Sequence, residues 1–235
     1  MHPIAIVIKW LGQACFLLTL PHGKVLLDPV NPKLGYAVSA HSIPADTVFV
    51  SHEHFDHNYV EAAVKPSQVI QPLSTPNPAV VSGAIPQDGV TYKRIFAYHD
   101  NTRGSQRGTD TITKIDADGL SIVHMGDIGE LTLTPAQVAA IGHVDVLMIP
   151  VGGFFTVDGS QAAKIVSQLR PRVIIPMHYG TPALPADLQS KLAPATPFLT
   201  AMRGKATVTT VKARDLTLSK ATLPKKTMIY LLRYQ

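Results

Sequence analysis

The sequence predicts an α/β sandwich, and three observations lead to that prediction. The 235-residue chain is 46% hydrophobic and 16% charged, which provides apolar material for one large core or two small ones and excludes a disordered or low-complexity protein. Its first half contains short apolar runs typical of β-strands, and its second half alternates such runs with helical stretches. Strands first, followed by alternating strands and helices, are the order expected of an α/β sandwich.

The N-terminal apolar segment is predicted to form a β-meander. Its strands are expected at residues 4–8, 15–20 and 25–28, separated by Gly12 and by the Pro21-His22-Gly23 turn. Lys9 and Gln13 interrupt the segment, and neither a basic leader region nor a small-residue cleavage site frames it. Buried strands therefore explain it better than a membrane span, and we expect a cytoplasmic protein.

Further along, short strand-like runs end abruptly in polar loops, several of which contain histidine. The predicted strands cover residues 47–50, 68–72, 94–98, 120–123, 144–150 and 172–176. Two helices are predicted between the last strands, at residues 134–141 and 158–169, with Thr134 as the N-cap of the first and Pro135 as its first helical residue. No linker, repeat or compositional break divides the chain before residue 200, so one domain spanning residues 1–235 is expected.

The net charge of +5 is concentrated near the C-terminus. Residues 203–233 contain eight Lys or Arg against one acid, Asp215. These basic residues are spaced along the segment and do not form a dense run, which favours a solvated strand face over a nucleic-acid surface.

The chain has one cysteine, Cys15, so it cannot form an intramolecular disulfide or a thiolate-rich metal site. We expect Cys15 to be an inert buried thiol. Any metal must be held by His, Asp or Glu, and the chain contains ten histidines.

The strongest chemical signal is the segment His52-Glu53-His54-Phe55-Asp56-His57, which directly follows a predicted buried strand. His52, His54, Asp56 and His57 are four potential ligands within six residues, and they cannot all face a core, because burying unpaired imidazole and carboxylate groups is costly. A tight turn can direct His52 and His54 to one side, and Asp56 and His57 to the other. This division suits two neighbouring metal ions.

The same segment resembles the signature H-x-H-x-D-H of the metallo-β-lactamase superfamily. His99, Asp127 and His178 match, in order, the downstream positions of the family pattern, and the resemblance covers most of the chain. The segments most similar to a small subgroup of metal-dependent hydrolases related to ascorbate-6-phosphate lactonase are residues 124–127, 149–156 and 175–179. The resemblance implies a four-layer αββα sandwich.

Residue by residue, the resemblance implies two divalent cations, with zinc as the default and manganese or iron as alternatives. The implied ligands are His52, His54 and His99 for one cation, Asp56, His57 and His178 for the other, and Asp127 between them. Such a pair activates a bridging hydroxide, so no serine or cysteine nucleophile is needed. Asp56 is expected to be catalytic by orienting that hydroxide, and Asp28 and Asp100 are candidates for orienting the ligand histidines.

Two further assignments concern the surroundings of the cations. His124, three residues before Asp127, is a candidate proton donor or orienting group, with a packed structural histidine as the alternative. Arg103 and Arg107, in the loop after His99, can clamp an anionic group, and we expect Arg103 to be the substrate-binding residue. A mobile surface lid is the alternative for that loop.

The expected function is a dinuclear metal-dependent hydrolase that uses a metal-bridging hydroxide on a small ester, lactone or phosphoester. One alternative is a nuclease that uses the basic C-terminal segment as a track for RNA or DNA phosphates. Another is an iron-dependent oxidoreductase with the same ligands, which is disfavoured because no flavin-binding domain accompanies them. The expected partner is a small-molecule substrate, and whether this substrate carries an anionic group is left open. No membrane partner is expected, and a homo-oligomer is left open.

Overall fold

Two β-sheets packed face to face form the centre of the computed structural model, which describes residues 5–85, 89–213 and 215–234. The strands are, in chain order, β1 (Ile6–Gly12), β2 (Cys15–Leu20), β3 (Gly23–Leu27), β4 (Thr47–Phe49), β5 (Gln68–Ile70), β6 (Val80–Ala84), β7 (Thr91–Tyr98), β8 (Thr109–Ala117), β9 (Leu120–His124), β10 (Val146–Pro150), β11 (Val173–Met177), β12 (Thr207–Thr210), β13 (Asp215–Leu218) and β14 (Met228–Leu231). The first sheet has the order β13-β1-β2-β3-β4-β5, and the second has the order β12-β14-β11-β10-β9-β8-β7-β6.

The main core lies between the two sheets and follows from the two-residue period of the strands. On β1, Ile6, Ile8 and Trp10 point into this core and are buried, whereas Val7 and Lys9 are only partly buried. Met148 and Ile175 meet them from the second sheet. Each such aliphatic side chain contributes about 1.5–3 kcal/mol when fully buried.

Helices cover the outer face of the second sheet. These helices are α1 (Pro135–Ile141), α2 (Gly159–Leu169) and α4 (Thr196–Ala201). The remaining helix, α3 (Ala186–Gln189), lies beside the first sheet. Thr134 caps α1 and Asp158 caps α2, each through a capping box with the glutamine three residues later. Both predicted helices are thus confirmed. Among the described residues, no helix is long and apolar enough to cross a membrane.

The outer face of the first sheet is covered mainly by loops, by 3-10 turns at Pro32–Leu34 and Val60–Ala62, and by α3. Leu26 and Val48 of the sheet pack against this layer. The predicted α/β sandwich is therefore confirmed, with one thick helical layer and one thin layer of short turns.

β6 and β8 were not among the strands predicted from the sequence, and for the basic C-terminal segment a strand face was expected without the bounds of β12, β13 and β14. β8 alternates threonine and charged residues with isoleucine, which hides its burial, and Lys114 is accommodated there because its ammonium donates to the Ile141 and His143 carbonyls. The N-terminal meander is confirmed by the antiparallel pairing of β1, β2 and β3. Ile4, in the first predicted strand, lies outside the described residues.

The strand directions bring several loops to one edge of the sandwich. β3 and β4 are parallel in the first sheet, and β9, β10 and β11 are parallel in the second. The carboxyl ends of parallel strands meet at one edge, which is the usual place for a ligand site in such folds. The loops that follow β4 and β11 and the turn after β9 contain most of the histidines and carboxylates singled out in the sequence, and His99 follows β7, which runs in the same direction as β9.

Candidate metal centre

The first candidate group consists of His52, His54 and His99. His52 and His54 lie in the loop after β4, and His99 directly follows β7. The ligating atoms of the three residues lie within 4.8 Å of one another, and His52 Nε2 is 3.0 Å from His54 Nδ1. The structure thus brings together the three histidines expected to share one cation.

The second candidate group consists of Asp56, His57 and His178, whose ligating atoms also lie within 4.8 Å of one another. His57 Nε2 is 3.4 Å from Asp56 Oδ2, and His178 Nε2 is 3.8 Å from the same oxygen. His178 adopts a left-handed φ of +50° just after β11, where the chain turns away from the sheet. Residues 121 positions apart in sequence therefore converge on one point.

Asp127 lies between the two groups. Its Oδ2 is 3.4 Å from His99 Nε2, 3.2 Å from His57 Nε2 and 3.2 Å from His178 Nε2. The turn that presents Asp127 requires glycine at position 126, because φ is +55° there and a Cβ would collide with the Asp110 carboxylate. One carboxylate oxygen is thus within reach of histidines from both groups.

A buried hydrogen-bond network orients two of the histidines. Asp28 accepts hydrogen bonds from His57 Nδ1 at 2.9 Å, from the Ser51 amide at 2.7 Å and from the Ser51 hydroxyl at 2.6 Å. His52 Nδ1 lies 2.9 Å from the Ser51 oxygen, to which it donates. Both rings therefore keep Nε2 free for a ligand, which is the role expected of Asp28. Ser51 was not singled out in the sequence.

The electrostatics differ between the two groups. Burial disfavours protonation of His178, but the Asp127 and Asp56 carboxylates outweigh it and raise the pKa of His178 to about 9. Burial likewise opposes ionisation of Asp127, yet His178 and His57 hold its pKa well below the ordinary range. Burial lowers the pKa of His99 to about 4, so this imidazole is neutral at physiological pH and in its metal-binding form.

Polar atoms without partners test whether these residues fit a metal. His57 Nε2 and Asp127 Oδ1 are buried and make no hydrogen bond within the part of the chain that the structure describes. His57 Nε2 remains unbonded even though Asp127 Oδ2 is 3.2 Å away. An unpaired buried donor or acceptor costs about 1–3 kcal/mol, and a divalent cation would satisfy such atoms. Imidazole nitrogen with carboxylate oxygen is a donor set that zinc accepts, so the residues fit the group.

A buried arginine lies behind the candidate centre and was not singled out in the sequence. Arg94 donates through Nη2 to the Val50 carbonyl at 2.5 Å, and its guanidinium lies 5.5 Å from the centre of the Phe49 ring. Burial lowers the pKa of Arg94 to about 10, and the charges of Asp28 and Asp110 oppose that shift. Arg94 is thus charged at neutral pH and compensates the buried carboxylates.

A cavity of about 440 Å³ opens onto Asp127. Its described lining residues are Gln13, Glu53, His54, Phe55, Asp56, His99, Gln106, Arg107, Asp127, Phe155, His178, Leu188 and Leu192. The two leucines come from α3 and the segment after it, which local sequence patterns do not connect with the histidines. None of the described basic residues in the segment 203–233 lines this cavity.

The substrate-binding assignment of Arg103 is corrected by the fold of its loop. The Asp100 carboxylate accepts backbone hydrogen bonds from Thr102, Gly104, Gln106 and Arg107, which wind residues 100–107 into a compact turn. Asp100 thereby shapes this loop and does not orient a ligand histidine. Arg103 is exposed at a φ of +57° and does not line the cavity, whereas Arg107 does and donates to the Phe154 carbonyl at 2.9 Å.

The expected catalytic role of His124 is also corrected. His124 Nε2 donates to the Ala14 carbonyl at 2.8 Å, and Nδ1 accepts from the Gly126 amide at 3.1 Å. The ring is buried, packs edge-on against Phe16 and does not line the cavity. Because both ring nitrogens already have hydrogen-bond partners within the protein, His124 cannot donate a proton to a substrate. It is the packed structural histidine that the sequence analysis gave as the alternative.

The single cysteine, Cys15, does not line the cavity. Cys15 is buried among apolar residues of the first sheet, and burial raises the pKa of its thiol to about 12. This is the environment of an inert thiol.

Known proteins resemble the chain in sequence and in fold. Residues 7–178 match the family model for the Beta-lactamase superfamily domain. A UPF0173 metal-dependent hydrolase of Hyperthermus butylicus is 31% identical over 204 residues, which span 77% of this chain and 86% of the relative. The UPF0173 metal-dependent hydrolase TK0141 of Thermococcus kodakarensis is 31% identical over 195 residues, which span 74% and 84%.

A solved structure gives the same placement. The crystal structure of TM0207 from Thermotoga maritima, assigned to the Zn-dependent hydrolases of the metallo-β-lactamase superfamily, has a TM-score of 0.69 and 28% identity to this chain. The structural match covers 98% of this chain and 100% of the TM0207 chain. The relation to ascorbate-6-phosphate lactonase stays a prediction. The chain belongs to the metallo-β-lactamase superfamily and is a metal-dependent hydrolase of its UPF0173 family.

Proposed function

We propose that the protein is a dinuclear hydrolase that acts on a small ester, lactone or phosphoester. The observation that carries the proposal is the position of Asp127 Oδ2, within 3.4 Å of histidine nitrogens from both candidate groups. A single carboxylate in that position can be shared by two cations. His52, His54 and His99 would hold one, Asp56, His57 and His178 the other.

Two divalent cations in these groups would polarise a substrate carbonyl or phosphoryl oxygen and supply an activated water at neutral pH. The protein's own contribution is orientation. Asp28 and Ser51 fix the His57 and His52 rings, and the buried Arg94 balances the carboxylates behind them. Asp56 lines the cavity and can orient a water bound beside it. Zinc is the metal we propose for the imidazole-rich first group.

The cavity walls favour a substrate with an anionic group and an apolar part. Phe55, Phe155, Leu188 and Leu192 provide apolar surface, and Arg107 provides a guanidinium. The cavity volume of about 440 Å³ lies within the range of small-molecule pockets and is small for a nucleic-acid groove.

Arg107→Ala is expected to raise KM for an anionic substrate by about 10- to 100-fold, because a charge-assisted hydrogen bond contributes about 1.5–3 kcal/mol. The KM of a neutral substrate with the same reacting group should change little. Arg103→Ala is the matched control, since Arg103 lies in the same loop outside the cavity. Equal effects of Arg107→Ala on both substrates, or a larger effect of Arg103→Ala, would argue against the clamp.

Metal affinity is expected to rise with pH through the physiological range. His178 has a raised pKa of about 9 in the metal-free protein, so below that pH a cation must displace its proton. Affinity should therefore increase from about pH 6 to pH 8 and level off above about pH 9. Isothermal titration of the metal-free protein in buffers with different ionisation enthalpies measures the protons released. Metal binding without proton release would refute this coupling.

The proposed reaction is tested by a panel of p-nitrophenyl phosphodiester, simple lactone and short RNA substrates, assayed before and after metal removal. We expect one small-molecule class to be hydrolysed, with activity lost on chelation and restored by zinc or manganese. Cleavage of RNA alone would replace the proposal by a nuclease. Bound iron with no hydrolysis of any substrate would replace it by the oxidoreductase alternative.

A further inference from the structure

Gln13 lies in the turn between β1 and β2, and its side chain contacts the second candidate group. Its Nε2 is 3.0 Å from His178 Nε2, its Oε1 is buried with no partner within the described residues, and the side chain lines the cavity. Gln13 is 3% exposed. An uncharged amide thus reaches the same nitrogen that is expected to bind a cation.

The position of this amide is imposed by the backbone. The Gln13 carbonyl accepts hydrogen bonds from the His178 amide at 3.1 Å and from the Trp10 indole at 2.9 Å. Gln13 also has a φ of +52°, a conformation that costs a residue other than glycine or asparagine about 1 kcal/mol or more. The hydrogen bonds to its carbonyl hold Gln13 beside the second group despite this cost.

The spacing of the amide matches that of the candidate ligands. His52 Nε2 and His54 Nδ1, two ligand candidates of the first group, are also 3.0 Å apart. Two ligands about 2.1 Å from one cation and at right angles to each other are separated by about 3 Å. The end of the Gln13 side chain therefore lies at ligand distance from His178 Nε2.

The oxygen is the end of the amide that suits this position. Once His178 Nε2 has a cation or a proton on its lone pair, the NH2 group of Gln13 has no acceptor there. Rotation about the last side-chain torsion exchanges the two ends of the amide without changing its shape. Oε1, which has no partner in its present position, then faces the positive charge.

We propose that Gln13 Oε1 is an additional ligand of the second cation, which makes that group richer in oxygen than the first. With Asp56, His57, His178 and the shared Asp127, the second group offers three oxygen and two nitrogen ligands, against three nitrogens and the shared oxygen in the first. Oxygen ligands and higher coordination numbers suit manganese, whereas imidazole suits zinc. The ratio of Mn²⁺ affinity to Zn²⁺ affinity is therefore higher at the second group than at the first. This inference rests on the proposed two-cation function.

The test measures Mn²⁺ and Zn²⁺ binding in a His54→Ala background, where the second group is the one left intact. Electron paramagnetic resonance reports free Mn²⁺, and competition with a chelator reports Zn²⁺. We expect Gln13→Ala to raise the Kd for Mn²⁺ by about tenfold or more and the Kd for Zn²⁺ by less. Gln13→His, which supplies a nitrogen, should shift the preference toward Zn²⁺.

Two further variants separate ligation from folding. Gln13→Asn suits the positive φ but is one methylene too short, so it should lose Mn²⁺ affinity as Gln13→Ala does. Gln106→Ala removes an amide from the same cavity and should change neither Kd. An unchanged Mn²⁺ Kd in Gln13→Ala would overturn the inference alone. A His54→Ala protein that binds neither cation would overturn the two-cation proposal together with it.

Discussion

Asp127→Asn is expected to reduce kcat/KM by about a thousandfold or more and to lower the metal content. Asp127 Oδ2 is within 3.4 Å of one histidine nitrogen of the first group and two of the second, so its loss weakens both. Polarisation of a substrate oxygen by cations supplies several kcal/mol of transition-state stabilisation, and about 4 kcal/mol corresponds to a thousandfold. Elemental analysis and steady-state kinetics on the same preparation measure the two effects.

The matched control is Asp158→Asn. Asp158 caps α2, and asparagine is an equally good N-cap, so this variant changes a nearby carboxylate without touching a candidate ligand. Thermal unfolding without metal checks that Asp127→Asn still folds. If Asp127→Asn retained two cations and wild-type turnover, the shared-carboxylate arrangement would be wrong.

Asp28→Asn is expected to weaken metal binding by about 10- to 100-fold and to lower activity in parallel, although Asp28 is not itself one of the proposed ligands. Its carboxylate accepts from His57 Nδ1 and from both the amide and the hydroxyl of Ser51. An amide presents one acceptor and an NH2 group to these three donors, so at least one donor is left unpaired. Asn accommodates the φ of +42° at this position, which keeps backbone strain out of the comparison.

Asp46→Asn is the control for Asp28→Asn. Asp46 also accepts from a backbone amide, that of Lys24 at 2.7 Å, but it lies away from the histidines. The metal affinity of this variant should equal that of the wild type. A full-affinity Asp28→Asn protein would show that the orientation of His57 does not depend on the carboxylate.

The cluster His52 to His57 could be found from the sequence because it directly follows a strand that its apolar residues reveal, and the resemblance to the superfamily implied His99, Asp127 and His178. His52 to His57 follow β4, His99 follows β7 and His178 follows β11, so strand direction alone brings them to one edge. Apolar runs with turn residues located the meander, and helical stretches with a cap residue located both helices. β8 and the bounds of the C-terminal strands could not be predicted, because polar residues obscure their burial pattern.

The cavity walls could not be predicted, since they depend on contacts between distant residues. From the sequence we expected Arg103 to bind substrate, whereas the hydrogen bonds to Asp100 and the Phe154 carbonyl bring Arg107 to the cavity. His124 is close to Asp127 in sequence, but its ring turns to the Ala14 carbonyl on the other sheet. Gln13 is separated from His178 by 165 positions, and only the packing of β1 and β2 joins them.

Metal content of the purified wild-type chain, determined by elemental analysis after removal of loosely bound ions, tests the central claim most directly. The two groups and the shared Asp127 predict about two divalent cations per chain, falling to about one in His54→Ala. The absence of bound metal in the wild type, or an unchanged content in His54→Ala, would contradict the ligand assignment on which the proposed hydrolysis depends.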